Sequence, residues 1–209
     1  MDFDKEAAVW DADPRRVKLA NGVADAIIRE IHPAKDMDAL DFGCGTGLVT
    51  LRLQPLVRSI TAVDNSRGML AVLQDKVKKQ GLANVRPRLV DFSQGGKING
   101  GFHLLVSSMT MHHVEDAAGL CRFWFDLLLP GGWLGFSDLD EEDGSFHGDN
   151  NGVFHLGFPR EDVQTLLSST GFGEVRITTA ASIAKETAGQ EPRVYSVFLA
   201  VGRKPGKSF

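Results

Sequence analysis

The sequence is poor in cysteine and in long apolar runs, and each shortage excludes a class of protein. Two cysteines, Cys44 and Cys121, are too few for a disulfide framework and do not form a C-x-x-C pair. No apolar run approaches the roughly 18 residues of a membrane span, and no charged-then-apolar leader opens the chain. We therefore expect a reducing, cytoplasmic location and no membrane partner.

An excess of positive charge is also missing. The formal net charge is -4 and the isoelectric point is near 5.9, which argues against a broad basic surface for nucleic-acid phosphates. We expect no nucleic-acid partner. The 209 residues are 43% apolar and 24% charged, a composition that supports one folded domain over 1–209 with a substantial core. Nothing in the sequence indicates the oligomeric state.

The most informative stretch runs from Ala39 to Thr50. A short apolar strand pattern leads into glycines at 43, 45 and 47 and then into residues that can start a helix. Strand, tight loop and helix in this order predict a nucleotide-binding site at the glycine loop, which we call the cradle. Glycine allows positive φ and lets a ligand lie on backbone amides. The spacing G-x-G-x-G differs from the dinucleotide fingerprint G-x-G-x-x-G, and no Gly-Lys-Ser/Thr ending of a Walker loop follows.

Strand and helix patterns alternate along the rest of the chain. Asp13-Pro14 is typical of a helix start, and apolar residues recur at helical spacing from Arg15 to Ile31. Pro87 requires the third strand to be an edge strand or to carry a bulge. The fold class is therefore α/β, with a doubly wound sheet and helices on both faces. We expect strands at about 37–42, 59–63, 85–90, 102–107, 133–139, 172–179 and 195–201.

The glycine stretch from Asp41 to Gly47 resembles the first motif of class I S-adenosylmethionine-dependent methyltransferases, which reads acid, apolar residue, G-x-G-x-G. Later stretches match the family in order, at 63–66, 90–92, 104–109 and 129–132. The resemblance covers roughly 10 to 201. It implies seven strands, mostly parallel with an antiparallel last strand, and an N-terminal helical cap over 1–32. It also implies S-adenosyl-L-methionine as cofactor, with S-adenosyl-L-homocysteine as product.

The resemblance also implies roles for acids at the strand ends. In the family, an acid at the position of Asp64 takes the ribose hydroxyls, and an acid at the position of Asp91 takes the adenine amino group beside Phe92. A carboxylate suits a diol because it accepts two charge-assisted hydrogen bonds. Each acid taken singly also fits a surface carboxylate or a helix cap. The other candidate cofactor-binding residues are Trp10, Asp41, Gly43, Cys44, Gly45, Thr46, Gly47, Asn65, Met69, Ser107, Ser108 and Met109.

Two histidines follow the fourth strand, where the family brings its substrate. Methyl transfer from a sulfonium needs alignment above all, and a base helps only when the nucleophile carries a proton. His112 and His113 are the candidate catalytic residues, since a histidine pKa can lie near neutrality. His113 also fits a role in fixing the loop. The stretch is not an Asn/Asp-Pro-Pro-Tyr/Phe motif, so methylation of nucleobase amino groups is not supported.

A long polar stretch, 138–159, follows the fifth strand. Substrates bind at this edge of a parallel sheet, so we expect a lid loop whose His147, Phe154 and His155 contact the substrate. A solvated acidic loop is the alternative. The spacing of its histidines and acids matches no metal site, and we expect no metal. A cluster of acids at its start favours a neutral or cationic acceptor, unless Arg160 and Arg193 offset it; these acids are Asp138, Asp140, Glu141, Glu142 and Asp143.

These features predict a methyltransferase (EC 2.1.1.-) that acts on a small molecule, with a flexible tail at 203–209. The acceptor and its reacting atom (O, N, S or C) are not identified by the sequence. A protein side-chain acceptor is a second hypothesis. A catalytically silent adenosyl-nucleotide-binding or partner-subunit module is a third. An NAD(P)-dependent oxidoreductase is disfavoured by the glycine spacing and by the absence of a Tyr-x-x-x-Lys pair around Tyr195, the single tyrosine.

Overall fold

The computed structural model describes residues 2–91, 96–185 and 192–206. Within these ranges the chain forms seven strands and six α-helices. The strands are β1 Asp38–Phe42, β2 Ser59–Asp64, β3 Val85–Leu89, β4 Phe102–Ser108, β5 Leu128–Leu139, β6 Gly173–Lys185 and β7 Arg193–Arg203. The helices are α1 Phe3–Glu6, α2 Pro14–Ile31, α3 Leu48–Leu53, α4 Arg67–Gln80, α5 Ala117–Leu127 and α6 Arg160–Thr170. Short 3-10 turns include Ala7–Ala12 and Met111–His113.

The strands form one sheet in the order β3-β2-β1-β4-β5-β7-β6. Neighbouring strands from β3 to β5 are parallel, and β7 is antiparallel to both β5 and β6. The predicted fold class is therefore confirmed, including the antiparallel last strand. The order reverses between β1 and β4, and ligands bind beside the carboxyl ends of the strands at such a switch point.

Local chemistry explains where several of these elements begin and end. Helix α2 begins where the Asp13 carboxylate accepts a hydrogen bond from the amide of Arg15, with Pro14 at the first helical position. It ends at His32 in the left-handed region, φ 55°. Strand β3 lies at the edge of the sheet, as Pro87 requires, because proline cannot donate to a second neighbour.

Two apolar cores cover the two faces of the sheet. One packs α2 and α3 against the sheet around Ile27, Leu53 and Leu104. The other packs α5 and α6 around Trp124, Phe136 and Leu167. The chain is therefore a layered α/β structure with helices on both faces, as the alternating patterns predict.

Three features of the secondary structure differ from the sequence prediction. Strand β5 begins at Leu128, before the glycines that were expected to precede it, and β6 continues to Lys185 rather than ending near 179. The segment Phe3–Ala12 forms a short helix and a 3-10 turn, although its residues show no clear helical pattern. None of the helices in the described part of the chain combines the length and apolarity that a membrane crossing requires.

Candidate functional site

The carboxyl ends of β1, β2 and β3 lie side by side. The amides of Gly43 and Cys44 donate to the carbonyl of Val63 at 2.9 and 3.0 Å, and the amide of Val90 donates to the carbonyl of Asp64 at 2.9 Å. These bonds place the glycine loop, Asp64 and Asp91 along one edge of the sheet. The convergence that the sequence predicts for the three strand ends is present in the backbone.

The three loop glycines have positive φ angles of 71°, 53° and 84°, but their surroundings differ. A Cβ atom on Gly43 would lie 2.2 Å from Thr110 Oγ1, and one on Gly47 would lie 2.4 Å from Leu73 Cδ1. These two glycines allow close packing. A Cβ on Gly45 would meet only Met69 Sδ at 4.0 Å. Gly45 therefore borders open space, which is the condition for a ligand to approach the backbone.

The Asp64 carboxylate holds the loop and the start of α4 together. Its Oδ2 accepts from the amide of Gly45 at 2.7 Å, and its Oδ1 accepts from the amide of Ser66 at 2.9 Å. Burial raises the pKa of Asp64, and hydrogen bonds from the amides of Ser66, Gly45 and Asn65 oppose that rise. A carboxylate offers about four lone-pair sites, so Asp64 can still accept from a hydroxyl group of a ligand.

The other acids at the strand ends have different surroundings. Asp41 is buried, and its carboxylate accepts from Thr50 Oγ1 at 2.5 Å. Burial raises the pKa of Asp41 to about 7, and the nearby Asp64 charge also raises it. Asp91 is half-buried at the end of β3, and its carbonyl accepts from the Gly96 amide at 2.8 Å. Asn65 is exposed at the tip of β2, and Phe92 lies outside the described residues.

The N-terminal segment Phe3–Ala12 lies over the cradle. Thr46 Oγ1 donates to Asp11 at 2.6 Å, and Asp4 accepts from Ser66 Oγ at 2.6 Å and from the Gly68 amide at 2.8 Å. Asp4 and Asp11 were missed in the sequence, since acids in a charged opening stretch carry no local signal for these contacts. Trp10 belongs to the same segment and stacks on the Arg16 guanidinium, 3.8 Å from the ring centroid.

Some candidate cofactor residues are buried or hydrogen-bonded within the loops around the cradle. Burial raises the pKa of the Cys44 thiol well above its usual value, so this thiol stays protonated. Ser107 Oγ donates to the carbonyl of Phe42 at 2.9 Å, and Ser108 Oγ accepts from Ser137 Oγ at 3.1 Å. Met109 takes a positive φ of 55° as the chain leaves β4. These contacts fix the turn that leads to the two candidate bases.

His112 forms a buried pair with Asp138, at the end of β5. The exposed fractions are 1% for His112 and 0% for Asp138, and His112 Nδ1 lies 2.7 Å from Asp138 Oδ1. The same carboxylate accepts from the amides of His112 at 3.2 Å and Leu139 at 2.8 Å. A carboxylate accepts only, so His112 carries a proton on Nδ1, and the neutral form of this imidazole has an unprotonated Nε2. This is the arrangement of a base oriented by an acid.

His113 and His147 lie beside this pair. His113 Nδ1 donates to the carbonyl of Gly152 at 2.7 Å, and its ring centroid is 4.1 Å from that of His112. The ring of His147 lies 5.0 Å from that of His112. Burial lowers the pKa of His113, and burial followed by the other two histidines lowers the pKa of His147 to about 4. Both imidazoles are therefore neutral near pH 7.

The rest of the predicted lid is hydrogen-bonded to the turn that follows β4. The Phe154 amide donates to the carbonyl of His112 at 2.9 Å, while the Phe154 side chain is 54% exposed. His155 Nε2 donates to the carbonyl of Val114 at 3.0 Å, which ties the lid to the turn before α5. In the described ranges no group of three or more His, Cys, Asp or Glu side chains is arranged to hold a metal ion.

Two acids of the lid are paired with arginines, the two residues that the sequence names as able to offset an acidic rim. Arg160 donates two hydrogen bonds to Asp140, both at 2.7 Å. Arg193 pairs with Asp143 at 2.5 Å and lowers the pKa of that carboxyl well below its usual value. Asp138 is bound to the His112 imidazole instead. The two arginines therefore reduce the repulsion that this loop exerts on an anionic acceptor.

The strand order and the open glycine loop at this edge of the sheet are typical of an α/β nucleotide-binding fold. Residues 39–132 match the family described as "Methyltransferase domain". That segment contains the glycine loop, Asp64, Asp91 and both candidate bases. Residues 39–132 therefore match a methyltransferase domain of the class I S-adenosylmethionine-dependent family, which the sequence resembles. S-adenosyl-L-methionine is the methyl donor of that family, so the predicted cofactor is confirmed at the level of the family.

Curated relatives agree with this assignment. The chain is 29% identical over 156 residues to an uncharacterized methyltransferase of Schizosaccharomyces pombe, covering 68% of this chain and 55% of that protein. It is 27% identical over 140 residues to a ubiquinone biosynthesis O-methyltransferase of Albidiferax ferrireducens, covering 66% and 56%. It is 30% identical over 141 residues to a malonyl-[acyl-carrier protein] O-methyltransferase of Acetivibrio thermocellus, covering 66% and 47%. The chain thus spans about half the length of these relatives.

A solved structure shares the fold. Phosphoethanolamine N-methyltransferase 2 of Haemonchus contortus, in complex with S-adenosyl-L-methionine, superposes with a TM-score of 0.72 at 15% identity. The superposition covers 98% of this chain and 60% of that one. At this identity the likeness concerns the fold alone.

Proposed function

We propose that the chain is an S-adenosylmethionine-dependent methyltransferase that methylates an oxygen atom of a small-molecule acceptor. The observation that carries the proposal is the open space at Gly45, bordered by the Asp64 carboxylate. A ligand can approach the backbone there, and the Asp64 carboxylate beside it can accept from a hydroxyl group. The cradle therefore fits a ribose diol.

In this proposal each strand end holds one part of the cofactor. Asp64 would accept from the ribose hydroxyls and Asp91 from the adenine amino group, with Met69 beside the ring. The segment Phe3–Ala12 would keep water away, since Asp4 and Asp11 tie it to both sides of the glycine loop. When bound, S-adenosylmethionine supplies an electrophilic methyl group on a sulfonium.

The choice of oxygen is supported by the pair of His112 and Asp138. A hydroxyl acceptor is a poor nucleophile until it loses its proton, and His112 Nε2 is the side of the imidazole free of a proton. Asp138 would stabilise the imidazolium that forms. Two relatives with a named activity are O-methyltransferases. His113 is the second candidate base, because its Nδ1 also donates to an oxygen.

Calorimetric titration with S-adenosylmethionine, S-adenosylhomocysteine and NAD tests the cofactor. We expect both adenosyl ligands to bind, and Asp64→Asn to weaken them at least about tenfold because the diol loses a charged acceptor. Asp38→Asn is the matched control, since Asp38 binds Arg58 and Ser59 at the opposite end of β1. Binding of NAD in place of the adenosyl ligands would reject the proposal.

Labelled methyl donor, incubated with metabolite extracts, tests the acceptor. The labelled product should carry an O-methyl group by NMR, and His112→Gln should abolish its formation while S-adenosylhomocysteine binding stays intact. A labelled N-methyl or S-methyl product would contradict the assignment to oxygen.

A further inference from the structure

Seven side-chain rings form a continuous series of contacts that includes the candidate base, His112. They come from four separate parts of the chain: the N-terminal segment, the Met111–His113 turn, the lid and β7. Consecutive ring centroids lie between 4.1 and 5.9 Å apart. We call this series the aromatic arc, and in order it consists of Trp10, Phe3, His113, His112, His147, Phe146 and Tyr195.

Part of the aromatic arc is open to a ligand. Phe3, Trp10, His113 and His147 are partly exposed, whereas the remaining three rings are buried and support them. His147 Nε2 is buried and has no hydrogen-bond partner among the described residues, so one donor or acceptor site on the arc is unused. The lowered pKa values of His113 and His147 keep both exposed imidazoles neutral near pH 7. A wall of neutral rings favours a flat, conjugated ligand, because aromatic faces pair best with other aromatic systems.

Cations sit on the rings toward both ends of the arc. Arg16 lies 3.8 Å from the Trp10 centroid, and Lys185 Nζ lies 3.8 Å from the Phe146 centroid. Lys185 is half-buried, donates to the carbonyl of Phe146, and forms no ion pair with any residue in the described ranges. An ammonium group has three donors, so two remain. Burial, together with Arg15 and Arg16, lowers the pKa of Lys185, and the charges of Glu142 and Asp13 oppose that shift only in part. A further anion in contact with the ammonium group would be stabilising.

We propose that the methyl acceptor is a flat, conjugated molecule that carries a carboxylate. Its ring lies on the exposed part of the aromatic arc, and its carboxylate binds Lys185, with His147 Nε2 as an additional donor or acceptor. This inference rests on the proposed function, because it takes the arc beside His112 to be the acceptor site. It replaces the neutral or cationic acceptor that the lid sequence favours.

Three small probes separate ring shape from charge. Benzoate is flat and anionic, benzamide is flat and neutral, and cyclohexanecarboxylate is anionic without a flat ring. Ligand-observed NMR on the S-adenosylhomocysteine-bound protein would measure their dissociation constants. We expect benzoate to bind about tenfold more tightly than benzamide, since a charge-assisted hydrogen bond is replaced by a neutral one. It should also bind more tightly than cyclohexanecarboxylate.

Lys185→Met should remove the preference for benzoate over benzamide. Lys204→Met is the matched control, because Lys204 also donates to a backbone carbonyl and lies 4.6 Å from a phenylalanine ring, that of Phe125. It should leave the preference unchanged. Retained binding of S-adenosylhomocysteine shows that each variant is folded.

Two kinds of result would overturn the inference. Equal affinities of benzoate and benzamide in the wild type, or an unchanged preference in Lys185→Met, would reject the carboxylate. Equal affinities of benzoate and cyclohexanecarboxylate would reject the flat ring. Either result with S-adenosylhomocysteine still bound leaves the proposed function standing, whereas loss of S-adenosylhomocysteine binding by the wild type rejects the proposed function itself.

Discussion

At the scale of single residues, Asp138 decides which nitrogen of His112 carries the proton. The carboxylate is wholly buried and accepts from the imidazole and from two backbone amides. A neutral amide at this position could turn an NH2 group toward the imidazole and select the opposite tautomer. Removing the charge therefore changes the chemistry of the base without removing the base.

The first prediction concerns that tautomer. In the wild type, long-range ¹H–¹⁵N spectra should show His112 protonated on Nδ1, and in Asp138→Asn this single state should be lost. The free energy of unfolding should fall by about 1–3 kcal/mol, because the buried network is broken. Asp140→Asn, which breaks a partly exposed pair with Arg160, should leave the His112 signals unchanged. An unaltered tautomer in Asp138→Asn would show that Asp138 does not position the ring.

At the scale of elements, the three glycines of the loop have two different roles, close packing and access for a ligand. A methyl group on Gly43 or Gly47 would lie within 2.4 Å of a neighbouring side chain, so these two glycines are needed for packing. Gly45 faces open space and is free to meet a ligand. Two glycines of the G-x-G-x-G pattern thus serve packing, and the proposed function assigns the third to ligand binding.

The second prediction separates these demands by two single substitutions. Gly45→Ala should cost only about 1 kcal/mol of stability, the strain of a side chain at positive φ, while it weakens S-adenosylhomocysteine binding. Gly47→Ala carries the same strain and also pushes against Leu73, so its loss of stability should be clearly larger. Urea unfolding and calorimetric titration measure the two quantities. Equal stability of the two variants would contradict the division of roles.

At the scale of the whole molecule, a buried acid couples the stability of the fold to pH. Burial raises the pKa of Asp41 in the folded state to about 7, above its usual value of 3.8. The folded state therefore holds this proton more tightly than the unfolded chain does. The stabilisation is fully present below about pH 4 and is lost as the pH rises through about 7.

The third prediction follows from this loss of stability with rising pH. Between pH 5 and pH 8, the free energy of unfolding of the wild type should fall by about 2–3 kcal/mol more than that of Asp41→Asn. The amide keeps an acceptor for Thr50 but does not titrate. Taking the difference between the two proteins removes the contributions of His113 and His147, whose pKa values are also shifted. The absence of a difference would show that Asp41 is charged in the folded state over this pH range.

Much of the fold was predictable because its signals are local. Strand and helix periodicity, the position of Pro87 and the glycine loop each depend on a few neighbouring residues. Contacts across the sheet were not predictable in the same way. His112 and Asp138 are 26 residues apart, and Asp4 and Ser66 are 62 apart, so only the strand order and the docking of the N-terminal segment bring them together.

The sequence by itself determined the family, the cofactor class and the order of strands and helices, because each is written in short motifs with fixed spacing. Only the tertiary structure decided which charged groups are already partnered. Asp140 and Asp143 are paired with arginines, whereas Lys185 is paired with no described acid. The physical reason is that the strength and availability of a charge depend on its burial and on its nearest partners, and those partners come from distant parts of the chain.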